Sequence, residues 1–190
     1  AIALGIVSVS RLFAPIFWGE DFAPCAYILS ALALSIPFSG FANVIRMQYL
    51  IPNGMDGAYI LSVILGAVSN LTANSLLIPR CGALGAAVGT VIAEVVVCAA
   101  QCLAVKKRID ILAYLKSTAF FGMAGLLMYG AVRVIDQRAK VTVFWLLLEI
   151  VVGGSVYCIL SVLYLYHTKN ELLMTALQKL GFAHQNNDRG

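Results

Sequence analysis

The stretch Asn70–Gln101, NLTANSLLIPRCGALGAAVGTVIAEVVVCAAQ, decides how the chain folds. It is two apolar runs hinged at Pro79-Arg80-Cys81-Gly82, each long enough to be a helix. The first run carries Asn70 and Asn74 one helical turn apart, and the second carries Glu94 near its middle. Amides and a carboxylate inside otherwise hydrocarbon-loving sequence are expensive in lipid and mark a cavity or a protein contact. Gly82, Gly85 and Gly89 lie between them and leave room for another backbone to approach. The expected arrangement is a pair of neighbouring membrane helices with their polar side chains turned away from lipid.

Composition agrees. Hydrophobic residues make up 61% of the 190 and charged residues 12%, where a soluble domain carries about a quarter charged. Mean hydropathy is +0.91. Several apolar runs reach the roughly 20 residues that a crossing helix needs. The net charge of +4 sits in loops and tail, with no aromatic-interleaved basic patch of the kind that binds nucleic acid. Ala1 opens inside an apolar stretch with no charged leader before it, which reads as the cut end of a longer polypeptide.

Working outward, the chain divides into six expected spans: 1–17, 24–51, 58–78, 83–105, 117–135 and 143–166. The second is long, and Pro37, flanked by Ser35, Ser39 and Gly40, is expected to kink it and to serve as a hinge. Pro52-Asn53-Gly54 makes a turn. The fold class is therefore all-α, a polytopic membrane bundle of about six transmembrane helices. Lys106, Lys107, Arg108, Lys116, Lys169 and Lys179 collect on one side, which places that side and the C-terminus in the cytoplasm. Over 167–190 a capping box, Thr168-Lys169-Asn170-Glu171, precedes a leucine stripe, so an amphipathic surface helix is expected there.

No catalytic pattern is present. His167 and His184 lie at or beyond the last span, and there is no HExxH, GxSxG or phosphate-cradling glycine loop. Cys98 and Cys102 share a helix face without a further ligand nearby, so no metal or other cofactor is expected. The intramembrane polar residues instead form three stripes: Ser39-Asn43-Arg46, Ser62-Gly66-Asn70-Asn74 and Thr90-Glu94-Cys98-Gln101. Asn70 and Asn74 suit interhelical hydrogen bonding as well as ligand contact. Arg46 either snorkels to the interface or meets an anionic phosphate. Glu94 must be protonated or paired, through an ion pair with Arg46 or as a coupling-ion site. Glu149 and Arg11 lie nearer span ends, where anchoring or local pairing is expected.

Three stretches carry a resemblance: Trp18-Gly19-Glu20-Asp21-Phe22-Ala23-Pro24, Gln48-Tyr49-Leu50-Ile51-Pro52, and Gly66 through Glu94 with its glycine, asparagine and proline spacings. Over about residues 13–108 the chain resembles the bacterial polysaccharide repeat-unit flippases of the multidrug/oligosaccharidyl-lipid/polysaccharide (MATE-like) exporter superfamily. The likeness extends more loosely across the last two spans and Lys169-Asn170-Glu171. Gly54-Met55-Asp56 departs from the family, which often has a basic residue after this glycine. The resemblance implies that 1–108 belongs to the C-terminal lobe of a two-lobed transporter, with two further helices over 109–166. It implies movement of undecaprenyl-pyrophosphate-linked oligosaccharide across the cytoplasmic membrane, with a polysaccharide polymerase or glycosyltransferases as partners. In that setting Arg46 would meet the headgroup, Asn43, Asn70, Asn74 and Gln101 would bond sugars, and Glu94 would couple an ion. Two other readings remain: a cation-coupled multidrug exporter of the same superfamily, and a non-transporting membrane scaffold.

Overall fold

The computed structural model describes residues 1–167, and the expected amphipathic tail helix lies outside them. The described residues form helices joined by short turns, without strands. In chain order they form α1 (Ile2–Trp18), a 3-10 turn (Glu20–Phe22), α2 (Cys25–Ala33), α3 (Ser35–Ile45), a π-helical turn (Arg46–Leu50), α4 (Asp56–Val105), α5 (Ile111–Asp136) and α6 (Val143–His167).

Four stretches are long and apolar enough to cross a membrane: Cys25–Leu50, Asp56–Val105, Thr118–Asp136 and Val143–Tyr166. Large apolar side chains point outward on all of them, for example Tyr27, Leu71, Leu127 and Leu163. An apolar exterior spread over every helix is what a hydrocarbon surround favours and water does not. The first helix, with 17 residues, falls short of that length.

The hinge inside α4 is narrower than the sequence suggests. Helix continues through Pro79 to Cys81, and the chain reverses at Gly82, with φ 56° and ψ −135°. Only glycine occupies that region without strain, because a Cβ would crowd its own backbone. The two arms, 56–81 and 83–105, then run antiparallel. Gln101 on the second arm donates from Nε2 to Ser62 Oγ on the first at 3.1 Å. Near the bend, a methyl placed on Gly85 would sit 2.5 Å from the Leu77 carbonyl oxygen, so glycine is what lets the arms touch. At 1.5 Å per residue each arm is about 35 Å or longer, enough to cross a bilayer by itself.

Pro37 acts one turn upstream of itself. The helix breaks at Leu34, whose N–H bonds back to Ala31 O at 3.1 Å, and α3 restarts at Ser35. Proline in the first turn of α3 forfeits a bond that would be missing there anyway, while its ring crowds the carbonyl four residues before. At the other end of α3 the Ile51 N–H reaches Arg46 O at 3.0 Å, an i to i+5 bond, and the turn closes at Gly54 with φ 63°. Ile45, Leu50 and Val105 pack together beneath it.

Two packing groups result. The first joins α2 and α3 to the α4 hairpin, and the second joins α1 to α5 and α6. Contacts between α1 and α2 link them, including Ser10 Oγ and Ser30 Oγ at 2.9 Å.

Candidate functional site

A cavity of about 780 Å³ opens between α3 and the two arms of α4. Five of the six polar residues expected to bind or couple line it: Asn43 and Arg46 from α3 and its π-turn, Asn70 from the first arm, and Glu94 and Gln101 from the second. Ser35, Ser39 and Tyr59 add hydroxyls to its wall, and Val63 and Val97 are among its apolar members. The helical spacings explain the convergence. Ser39, Asn43 and Arg46 share one face of α3, and the antiparallel hairpin brings Asn70 and Glu94 to similar depth.

Asn74 is the sixth, and it does not line the cavity. Its Nδ2 donates to Asn70 Oδ1 at 3.0 Å, while its buried Oδ1 lies against Gly89 without a hydrogen-bond partner. One helical turn moves it from the wet stripe into the seam between the arms, because a stripe stepping by four drifts around a 3.6-residue helix. Asn74 thus contacts Asn70 rather than the cavity. Pro37 likewise lies outside the lining, although its neighbours Ser35, Ile36 and Ser39 belong to it.

Arg46 is held from two sides. Its Nη2 donates to Asn43 Oδ1, and its Cζ stands 5.3 Å from the centre of the Tyr59 ring. Its Nε is buried with no hydrogen-bond partner. The expected ion pair with Glu94 is not formed. Ion pairs do link Arg11 and Arg133 to Asp136, away from this cavity. Arg46 sits at the end of its helix and Glu94 in the middle of the second arm, so the two charges face one space from different depths. Gln101 is 2% exposed, and beyond its bond to Ser62 its Oε1 has no partner.

The cavity thus presents a guanidinium, a carboxylate, three amides and three hydroxyls, with two orphaned polar atoms in its walls. Buried polar atoms left unsatisfied by protein call for water or a polar ligand. The guanidinium can take a phosphate oxygen pair, and the amides can bond hydroxyl groups in both directions. Among the described residues no group of three or more His, Cys, Asp or Glu side chains is placed to hold a metal ion.

The chain reading missed a second charged centre. Arg11 was expected to anchor or pair locally, and it pairs across 125 residues with Asp136, donating from Nε to Oδ1 at 2.8 Å. Glu149 makes no anchoring contact: it is 1% exposed and neither carboxylate oxygen has a hydrogen-bond partner. Three charges at or inside apolar runs, Arg11, Arg133 and Glu149, were the available signal. Compared with known proteins, the chain matches no family model, no curated protein and no solved structure.

Proposed function

We propose that this chain is part of a membrane transporter, and that it belongs to the second lobe of a polysaccharide repeat-unit flippase. The observation that carries the proposal is the cavity: an arginine and a glutamate, unpaired with each other, share it with amides and hydroxyls between apolar helices. A pyrophosphate with a sugar chain cannot enter hydrocarbon unaided, so a carrier must offer a polar passage while the lipid tail stays outside. Arg46 would take the pyrophosphate, held ready by Asn43 and Tyr59. Asn43, Asn70 and Gln101 would bond sugar hydroxyls, and Glu94 would bind a coupling ion. The break before Pro37 and the π-turn at Arg46 bracket α3 and give it two points at which to bend.

In this reading the α4 arms cross separately and α1 supplies a sixth crossing, with the basic 106–108 loop on the cytoplasmic side. The protein would sit in a bacterial cytoplasmic membrane and work beside glycosyltransferases and a polymerase.

The test is made at the chromosomal locus. Arg46→Ala and Glu94→Gln should each abolish surface polysaccharide and leave lipid-linked repeat units facing the cytoplasm, with the protein still inserted. Normal polysaccharide in both variants rejects the assignment. Sensitivity to amphipathic cationic drugs, with polysaccharide intact, would instead support the multidrug exporter reading.

A further inference from the structure

Away from the cavity, α1, α5 and α6 meet around charges that the transport reading does not use. Asp136, at the end of α5, has its side chain 6% exposed. It accepts Arg11 Nε at 2.8 Å through Oδ1 and Arg133 Nη1 at 3.3 Å through Oδ2, and its backbone carbonyl takes Arg11 Nη2 at 2.7 Å. Arg133 also donates from Nε to the Tyr129 hydroxyl at 2.8 Å. Both arginine side chains are about half in solvent, at 51% and 50%.

Glu149, in the second turn of α6, faces this group and is sealed from solvent, at 1% exposed. α5 and α6 run antiparallel, with Phe120 stacked on Tyr164 and a methyl on Gly153 falling 3.0 Å from Val132 Cγ2, and one turn further along this register Glu149 comes opposite Asp136, which Arg133 of α5 and Arg11 of α1 flank. Neither arginine donates to it. Its remaining surroundings are the apolar wall of a 420 Å³ cavity that includes Ile6, Val9, Met128, Val132 and Ile150. A carboxylate buried there without donors would cost far more than the fold can supply. Two carboxyls crowded by two arginines offer too few oxygens for a divalent cation. Only a proton fits, and carboxyls in contact characteristically share one.

We propose that Glu149 and Asp136 together bind one proton, with the Glu149 O–H donating to an Asp136 oxygen while Asp136 stays anionic between Arg11 and Arg133. Releasing that proton leaves a second carboxylate in the junction. One of the half-exposed arginines then moves from Asp136 to Glu149, so that the contacts binding α1 to α5 and α6 change with protonation. The site stands independently of the cavity between α3 and α4.

Infrared spectroscopy of the full chain in lipid, with glutamate carboxyls carbon-13 labelled, tests it. A protonated-acid carbonyl band at neutral pH should shift on labelling, persist in Glu94→Gln, vanish in Glu149→Gln and move in Asp136→Asn. Absence of any label-sensitive acid band overturns the proposal, as does a band that survives Glu149→Gln. Should Glu149→Gln fail to fold, the labelled Glu94→Gln protein still decides, because its only fully buried described glutamate is Glu149.

Discussion

The two charged centres solve the same problem in opposite ways. Between α3 and α4, Arg46 and Glu94 share an open cavity and do not pair. At the junction of α1, α5 and α6, Arg11 and Arg133 both close on Asp136, and Glu149 lies sealed beside them. Charges kept apart in an accessible space remain available to a ligand. Charges closed on one another hold helices together and respond only to something as small as a proton. On the transporter proposal, the contrast separates a site that binds from a site that fastens.

The largest expected effect falls on the open centre. Arg46→Ala removes charge-assisted hydrogen bonds worth about 1.5–3 kcal/mol, so binding of a pyrophosphate-linked lipid should weaken by roughly 10- to 150-fold. Titration of the lipid onto the chain in nanodiscs measures this. Unchanged affinity would put Arg46 with the fasteners. Next, Asp136→Ala strands two guanidiniums and should destabilise the chain by about 2 kcal/mol. That is less than the 3–5 kcal/mol of a fully buried pair, because both arginines are half solvated. Unfolding in lipid by steric trapping reads it, and the same substitution should leave lipid binding intact. Gly82→Ala forces a Cβ into a glycine-only conformation and should cost about 1–2 kcal/mol by the same assay, opening the hairpin that carries Asn70 and Glu94. The smallest is Ser62→Ala, which strips Gln101 Nε2 of its partner. An interhelical bond of this kind contributes about 0.6 kcal/mol in lipid.

The open centre was largely legible in the sequence, and the closed one was not. Asn70, Glu94 and Gln101 stand out because polar residues inside apolar runs have few explanations, and steps of four carry them along one face. Gly85 and Gly89 announced a close approach for the same reason. The drift of that stripe hid the fate of Asn74, since one turn separates the cavity from the seam. Pro79 drew the hinge toward itself although the helix passes through it, and the reversal needed only Gly82. Glu149 was misjudged because its depth depends on α1, whose Arg11 lies 125 residues from Asp136, and no local spacing encodes that approach. The count of crossings was blurred likewise, since α4 is one continuous apolar stretch of 50 residues until its bend is seen.

Reaction of introduced cysteines with a membrane-impermeant thiol reagent, in a cysteine-free background in native membranes, tests the wet cavity most directly. Cysteine at Ser39, Asn70 and Glu94 should react, and cysteine at Asn74 in the seam and at outward-facing Leu71 should not. Uniform protection of the first three, or equal labelling of Asn70 and Leu71, would contradict the account.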